Sequence, residues 1–315
     1  MIYTVTLNPS FDQTIICEKF EINALNRALD ARQDIGGKGI NVSKMIGVFG
    51  GSSRAFGLLP ENGSIEFINS MQAINLPNYF VIVPQRKIRT NLKIIDQSLN
   101  SLTEINQAGP EVPLQYLDLM IEIMLEQINP EDIVVLSGSM PRNFPPDTYQ
   151  KLIRIFNQRK CKIILDTDGE NLQSCLSGKD MPFFIKPNLL ELEQLTGQQL
   201  NTISEIEQAT KPLIDRGAQH ILVSLGANGA FYANTKQKYI LEPIDIAVKS
   251  PVGAGNSMVA AFAFGLETKR NIEEILKNTV AAATAMVNTE GTTTPCSDKI
   301  DQLKDKVVLK NILNL

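Results

Sequence analysis

Short apolar runs alternate with helix-periodic stretches along most of this 315-residue chain, and this alternation restricts the possible folds more than any other feature. The apolar runs have the length and composition of buried strands and span residues 2–7, 79–83, 133–136, 162–165, 183–186 and 221–225. Helical periodicity covers residues 114–128, 148–158, 189–196, 203–216 and 272–287. Strands that alternate with helices predict a mostly parallel sheet with helices on both faces, which is an α/β fold.

Two segments interrupt this alternation. Residues 14–31 and 89–105 contain short strand-like pieces in which polar and apolar residues alternate. They predict either a small sheet that stands off the main body as a lid or two ordinary surface hairpins, and periodicity alone slightly favours the hairpins. The sequence contains no internal repeat or interdomain linker, so we expect a single domain over residues 1–315.

Composition excludes several classes of protein. Hydrophobic residues make up 43% of the chain, enough for a large core, yet no apolar run approaches the roughly 20 residues of a membrane-spanning helix. The formal net charge is −4 and no long basic block is present, so nucleic acid is not an expected partner. Residues 1–7 lack the basic region and cleavage site of a signal peptide, which indicates a cytoplasmic protein.

Cysteine and histidine usage is sparse. Cys17, Cys161, Cys175 and Cys296 show neither C-x-x-C spacing nor companion histidines. They predict reduced thiols and not a disulfide framework or a zinc site. His220 is the only histidine and stands at the entry to a strand-like run, so we expect a structural role for it and no Ser-His-Asp hydrolase.

A Gly-rich turn at Gly253, Ala254 and Gly255 precedes an apolar helix predicted over residues 257–266. Small residues leave backbone N–H groups accessible, and the positive end of the helix dipole would point at the same place. The turn therefore predicts an anion site, although tight packing alone also explains it. An enzyme of this design usually has a carboxylate at the mouth of such a turn to deprotonate the attacking hydroxyl, whereas Asn256 is an amide without useful basicity.

Two polar segments in the first part of the chain are candidate ligand-binding sites. Asn8 and Asp12 come directly after the first strand, where open α/β sheets bind ligands, and Asp12 suits hydrogen bonding to sugar hydroxyls. An Asx-type turn explains Asn8 equally well. Gly37, Lys38 and Asn41 belong to a second Gly-rich turn that feeds a helix and predicts a polar, anionic ligand. This turn lacks the spacing of a Walker P-loop, and tight packing alone also explains its glycines.

Further candidates lie on the predicted lid and at other strand ends. Arg89 and Arg27 occupy the two lid segments, and either guanidinium could clamp a phosphate, although surface arginines are common. Ser139 follows a buried strand. Asn188 and Glu191 share a face of a first helical turn and could hold hydrated Mg²⁺, while helix capping also explains Asn188.

Ser224, Gly226 and Gly229 end another strand, and the glycines would allow a nucleotide to lie against the backbone. A plain turn explains them too, and residues 231–241 then look like a hairpin. No G-x-G-x-x-G follows the first strand, which disfavours a nicotinamide oxidoreductase.

Six of these patterns occur in a specific order: T-L-N-P-x-x-D, G-G-K-G-x-N, L-S-G-S-x-P, K-P-N-x-x-E-L, S-L-G-A-x-G and V-G-A-G-x-S-M-V-A-x-F. In this order they resemble the ribokinase-like PfkB carbohydrate kinases, and most closely the branch of the 1-phosphofructokinases and tagatose-6-phosphate kinases. The resemblance covers nearly the whole chain.

The resemblance implies a Rossmann-like, three-layer body of the ribokinase type with a small β-sheet lid formed by about residues 12–32 and 88–106. It implies transfer of the γ-phosphoryl group of ATP, with Mg²⁺, to a ketohexose monophosphate. A lid of this kind exposes a strand edge, so a homodimer through the lid is expected. By motif, the residues that would hold the sugar phosphate are Asp12, Gly37, Lys38, Asn41, Arg89 and Ser139. Those that would hold the nucleotide are Lys186, Asn188, Ser224, Gly226, Gly229 and Gly255. Glu191 would bind magnesium through water, and an anion hole at Gly253, Ala254 and Gly255 would hold the transferred phosphoryl group.

The chain departs from the family pattern at two positions. Relatives that it resembles have Asp where this chain has Asn256, and usually Thr where it has Pro251. Two hypotheses follow. The first is a kinase of weakened chemistry, in which Asn256 orients the hydroxyl and solvent or another carboxylate such as Asp12 or Asp166 takes the proton. The second is a non-catalytic phosphosugar and nucleotide binder. A general base is typically worth about 10² to 10⁴-fold, so its loss need not abolish turnover.

Overall fold

A large, mostly parallel sheet forms the centre of the molecule. The computed structural model describes residues 1–250, 252–289 and 293–312. Within these residues the central sheet has the strand order β14-β13-β12-β11-β10-β9-β8-β1-β4-β5, parallel from β11 to β5 and antiparallel from β11 to β14. Its strands are β1 (Ile2–Thr6), β4 (Ser53–Asn62), β5 (Asn78–Lys87), β8 (Ile133–Ser137), β9 (Lys162–Asp166), β10 (Phe184–Ile185), β11 (His220–Ser224), β12 (Ala230–Ala233), β13 (Lys238–Leu241) and β14 (Leu309–Asn311).

Helices cover both faces of this sheet, which gives the three layers expected from the sequence. They are α1 (Lys38–Val48), α2 (Ser64–Ala73), α3 (Leu114–Leu125), α4 (Thr148–Gln158), α5 (Gly169–Ser177), α6 (Leu189–Thr196), α7 (Ile203–Asp215), α8 (Ala254–Glu267), α9 (Ile272–Val287) and α10 (Ser297–Lys304). Residues of α3 to α7 bury one hydrophobic cluster against the sheet, and residues of α1 and α8 to α10 bury another on the opposite face. Alternate residues of one strand point into different clusters, as Val134 and Val135 do. The α/β fold class is therefore confirmed.

A second sheet has the order β3-β2-β6-β7, with β2 (Ser10–Cys17), β3 (Asp30–Gly36), β6 (Arg89–Asp96) and β7 (Ser101–Asn106). It draws strands from both segments that interrupt the α/β alternation. Because β2 pairs with β6 in parallel, the two segments form one sheet and not two separate hairpins. The hairpin alternative is wrong for this reason.

Most predicted elements coincide with observed ones. Helices α4, α6 and α9 have the predicted bounds, whereas α3 ends at Leu125 and α7 at Asp215. Helix α8 starts earlier than predicted, because Gly253 takes a left-handed conformation (φ 85°) as the N-cap and the small residues after it form the first turn. Strand β4 was not predicted.

No helix in the described part of the chain is long and apolar enough to cross a membrane.

His220 is packed among aromatic rings at the start of β11, as its expected structural role requires. Its Nδ1 lies 2.6 Å from the hydroxyl of Tyr232, which also accepts a hydrogen bond from Asn234. The rings of Phe183 and Phe262 contact the imidazole. Burial, assisted by the charge of Lys162, lowers the pKa of His220 to about 4.

We expect this histidine to make folding stability depend on pH. Below about pH 6.5 the imidazole binds a proton in the unfolded chain, whereas in the folded chain it does not bind one until about pH 4. The free energy of unfolding therefore decreases as the pH falls through this window. The free energy of unfolding should fall by about 2 kcal/mol more between pH 7 and 5 in the unmodified protein than in His220→Gln. Urea denaturation at both pH values measures this difference. An imidazole NMR titration, unambiguous with one histidine, that gave a pKa near 6.5 would contradict the prediction.

Candidate functional site

A polar cavity of about 530 Å³ lies where the carboxyl ends of the central strands meet the second sheet. Parallel strands place their C-terminal residues at one edge, so motifs far apart in the sequence converge here. All the residues predicted to hold sugar phosphate line this cavity, together with most of those predicted for nucleotide, metal and chemistry: Asp12, Gly37, Lys38, Asn41, Arg89, Ser139, Lys186, Asn188, Glu191, Ser224, Gly253, Gly255 and Asn256. Their individual roles stay predictions. Pro251 lies outside the described residues, and the exposed Arg27 is not among the residues that line the cavity.

A second cavity of about 660 Å³ adjoins the first. Asn188, Ser224 and Gly255 line both cavities. The remaining predicted residues, Gly226, Gly229 and Ala254, line the second. Its other walls are mainly apolar side chains from the segment after β13 and from α8 and α9, namely Pro243, Ile244, Ile246, Val248, Met258, Val280, Ala283 and Val287.

The first turn of α8 stands at the boundary between the cavities. A Cβ added to Gly255 would lie 3.2 Å from Nζ of Lys186, so the ammonium group is close to the exposed amides of the turn. Gly253 cannot be replaced without strain, because its φ is positive and a Cβ would meet the Met286 side chain at 2.8 Å. Asn256 is the third residue of the helix and lines the polar cavity. Amide donors, the helix dipole and a lysine therefore converge on one point.

Lys186 is held by a buried ion pair. Its Nζ lies 3.1 Å from Oδ1 of Asp166, and the two side chains are 6% and 7% exposed. Ser137 donates to Oδ2 of the same carboxylate at 3.3 Å. Burial raises the pKa of Asp166, but the charges of Lys186 and Lys38 outweigh it and lower that pKa below its usual value. The same carboxylate is the main cause of the raised pKa of Lys38, whose Nζ also lies 3.5 Å from Asp168. Lys38 therefore carries its charge at neutral pH.

Asp12 lies in a second buried ion pair, on the second sheet. Lys93 donates to its Oδ2 at 3.0 Å, and the side chains of Asp12 and Lys93 are 7% and 5% exposed, respectively. Ser10 and Asn91 donate to Oδ1 at 2.9 and 3.0 Å. These three donors fix the orientation of the carboxylate toward the cavity.

Arg89 and Ser139 are connected through Asn8. The side chain of Asn8 donates to Ser139 Oγ at 3.2 Å and to the Ala108 carbonyl at 2.9 Å, so it bridges segments and does not make a local Asx turn. Arg89 Nε donates to the Asn8 carbonyl at 3.1 Å, and one Nη donates to the Gln107 carbonyl at 2.9 Å. Burial lowers the pKa of this guanidinium, yet it stays charged. Its second Nη has no partner within the described residues and can bind an anion.

Asn188 and Glu191 form a capping box at the start of α6. The Asn188 side chain accepts from the Glu191 amide at 2.8 Å, and Glu191 Oε2 accepts from the Asn188 amide at 2.8 Å. Capping and cavity lining thus coexist. Burial raises the pKa of Glu191.

Sequence reasoning missed several cavity residues. Lys93 and Glu104 were not singled out, although Arg89, Asn91 and Lys93 follow the i, i+2, i+4 spacing of one strand face. Recognition of that two-residue period would have identified Lys93. The apolar wall on α9, including Val280, carried no signal that distinguishes it from ordinary core.

The fold and site define an α/β protein with a charged cleft beneath a second sheet and an apolar cavity beside it. Residues 5–300 match the family model described as pfkB family carbohydrate kinase. The chain therefore belongs to the pfkB family of carbohydrate kinases, which are phosphotransferases that act on a sugar hydroxyl.

Particular relatives support this assignment. The chain is 33% identical to the 1-phosphofructokinase of Bacillus subtilis (strain 168) over 292 residues, which covers 92% of this chain and 93% of the relative. It superimposes with a TM-score of 0.91 and 27% identity on phosphofructokinase-2 from Escherichia coli in complex with substrates and products, covering 97% and 98% of the two chains. The tetrameric inhibited form of that protein gives 0.89 and 26% over the same shares.

Proposed function

We propose that this protein transfers the γ-phosphoryl group of ATP to a hydroxyl of a ketohexose monophosphate and so forms a bisphosphate. The acceptor would be fructose 1-phosphate, fructose 6-phosphate or tagatose 6-phosphate. The observation that carries the proposal is that the two cavities meet at Gly255, beside the anion-binding turn of α8. A phosphoryl group at this turn is reached by a nucleotide from one side and a sugar from the other. Within the single domain, the second sheet would act as the lid over the sugar.

ATP fits the second cavity by its chemistry. Its apolar walls, which include Ile246 and Val280, suit a purine ring. Gly226 and Gly229 both have positive φ, 60° and 86°, and as glycines they present only backbone to the cavity. The polyphosphate would then extend toward Gly255 and Lys186.

Charge balance supports a requirement for Mg²⁺. Among the described residues the polar cavity has fewer basic than acidic side chains: Lys38, Arg89, Lys93 and Lys186 against Asp12, Glu104, Asp166, Asp168 and Glu191. Two anionic substrates would therefore repel this cleft without an added cation. No group of three or more metal-ligating side chains occurs within the described ranges. Glu191 keeps free lone pairs beyond its capping bond, so it fits a magnesium ion held largely by water and phosphate oxygens. That ion would neutralise charge on the transferred group.

The part of the site that the structure describes has no side chain that is well suited to accept the proton of the attacking hydroxyl. Asn256 can orient a hydroxyl by hydrogen bonding but cannot take its proton. Asp12 and Asp166 are poor substitutes, because each carboxylate is already paired with a lysine and accepts at least one further hydrogen bond. We therefore expect the rate to depend mainly on positioning and charge neutralisation, which dominate loose phosphoryl transfer.

The amide at position 256 also favours a second candidate function. A protein that kept both cavities but lost the proton acceptor would bind phosphosugar and ATP as a sensor or assembly subunit. Isothermal titration would then show binding of both ligands, and no sugar-dependent ADP release would accompany it.

A panel of the three ketohexose monophosphates, each assayed with Mg-ATP by coupled ADP detection, tests the proposed kinase. We expect sugar-dependent ADP release with at least one acceptor and none when Mg²⁺ is chelated. Absence of sugar dependence in both this protein and Asn256→Asp would refute the kinase assignment.

We further propose a homodimer formed through the second sheet. Several apolar side chains on this sheet and its connections are largely exposed, including Ile22 (83%), Leu25 (82%) and Leu99 (72%). Such a surface on one small sheet is typical of a contact with a second copy, which would also cover the edge strands. A tetrameric form is described for the related phosphofructokinase-2.

Leu25→Asp should convert this dimer to a monomer, because it would place a charge in the apolar contact. Ile65→Asp is the matched control, since Ile65 is 76% exposed but lies on α2, outside the second sheet. Sedimentation velocity should show a dimer for the unmodified protein and for the control only. A monomeric unmodified protein would contradict the proposal.

We place the protein in the cytoplasm. The four cysteines are free, and only Cys296 is exposed. Burial raises the pKa of Cys161 to about 11 and that of Cys175 to about 12, so these thiols are unreactive. Free thiols suit a reducing compartment.

A further inference from the structure

Lys93 is a buried cation with unused hydrogen-bonding capacity that faces the polar cavity. It is 4% exposed and lies on β6, in register between Thr14 of β2 and Glu104 of β7. An ammonium group has three donors, and within the described residues Lys93 donates only to Oδ2 of Asp12. Buried donors normally have partners, so the two remaining N–H groups indicate an acceptor that the protein itself does not supply.

Asp12 is complementary to this cation. Its Oδ1 already accepts from Ser10 and Asn91, whereas Oδ2 accepts only from Lys93. Oδ2 therefore keeps a lone pair for one more donor. A free donor on Nζ and a free acceptor on Oδ2 thus stand 3.0 Å apart on the wall of one cavity.

We infer that Lys93 and Asp12 together bind a vicinal diol of the acceptor sugar, with Lys93 donating to one hydroxyl oxygen and Asp12 accepting from its neighbour. This inference rests on the proposed function and deepens it, since it names the hydroxyl groups of the substrate that the second sheet would bind. The separation of Nζ and Oδ2 is similar to that of hydroxyl oxygens on adjacent ring carbons in a gauche arrangement. Lys93 is thereby a specificity-determining residue, because fructose and tagatose phosphates differ in the configuration of one such carbon.

A structural role for Lys93 predicts a different result from a contact with the sugar. Loss of the ammonium leaves the Asp12 carboxylate buried without its charge partner, and this penalty is common to every ligand. Loss of a direct contact depends on whether the ligand has the contacted hydroxyl. A cycle that combines a protein change with a ligand change therefore separates the two roles.

The experiment measures binding of fructose 1-phosphate, fructose 6-phosphate and tagatose 6-phosphate by isothermal titration in the absence of ATP. The best ligand and its 3-deoxy and 4-deoxy analogues are then compared in the unmodified protein and in Lys93→Met. We expect Lys93→Met to weaken the parent ligand about 10- to 100-fold, as for a lost hydrogen bond to a charged group, and to leave one deoxy analogue unaffected. Lys93→Gln, which keeps an N–H donor, should recover part of the affinity and provides a folded variant if Lys93→Met is unstable.

Equal losses for the parent and both deoxy analogues would overturn the inference and assign Lys93 to holding Asp12 alone. If none of the three phosphosugars bound the unmodified protein, this inference and the proposed kinase would both be overturned. Binding with the expected cycle but without phosphoryl transfer would support the diol contact and refute only the kinase.

Discussion

Asn256→Asp is expected to raise kcat about 10² to 10⁴-fold, the usual contribution of a general base. Residue 256 is the third residue of α8, at the turn where both cavities meet, and it lines the polar cavity. A carboxylate there could accept the proton of the attacking hydroxyl, whereas the amide can only orient it. Steady-state kinetics with saturating Mg-ATP and the best acceptor of the panel measure the change. The KM for sugar should change much less than kcat, because the gain occurs in the transition state.

Asn41→Asp is the matched control for this substitution. Asn41 lies on α1, lines the same cavity and acquires the same charge, but it is not in the first turn of α8. We expect the control to lower activity, since it only adds negative charge to a site for anions. Thermal denaturation provides a second readout, because an acidic residue in the first turn of α8 should stabilise the folded protein by about 0.3 to 1 kcal/mol. A variant stabilised in this way but no faster than the unmodified protein would show that position 256 does not take the proton.

The convergence of the site was predictable because it follows from topology. Residues as distant in sequence as Ser139 and Lys186 come together, since each closely follows the carboxyl end of a strand in the central sheet. Local periodicity was sufficient for α4, α6 and α9, whose apolar positions face a core. The capping residues Asn188 and Thr202 mark the starts of α6 and α7 for the same local reason.

What the sequence could not supply depends on contacts between distant segments. Strand β4 is buried, but Gly57 and Pro60 interrupt its apolar run, so the local pattern does not predict a strand. Gly57 is needed because a Cβ would lie 2.1 Å from the carbonyl oxygen of Thr6 on the neighbouring strand, a contact that no local pattern reveals. The pairing of β2 with β6, which brings Lys93 to Asp12, is equally non-local. Such pairings decide which polar side chains share a cavity.

Lys186→Met is expected to impair both folding and catalysis, for separable reasons. The Lys186 and Asp166 side chains are 6% and 7% exposed, so loss of the ammonium leaves a buried carboxylate without its nearest charge partner. Breaking a buried pair in this way typically costs about 3 to 5 kcal/mol, and the remaining charge of Lys38 should keep the loss toward the lower end. Urea denaturation at pH 7 measures it. The pKa of Asp166 should rise in the variant, so the deficit should shrink as the pH is lowered and this carboxylate is protonated.

The double variant Lys186→Met/Asp166→Asn separates the two effects. Replacement of the carboxylate by an amide removes the unpaired charge, so most of the lost stability should return. Activity should not return, because the ammonium group beside Gly255 that would face the transferred phosphoryl is still absent. Removal of one such charge-stabilising donor lowers kcat by about 10²- to 10³-fold in comparable sites. Recovery of both stability and turnover in the double variant would mean that Lys186 acts only by neutralising Asp166, and the phosphoryl group would then have to be stabilised by the helix terminus and Lys38 without it.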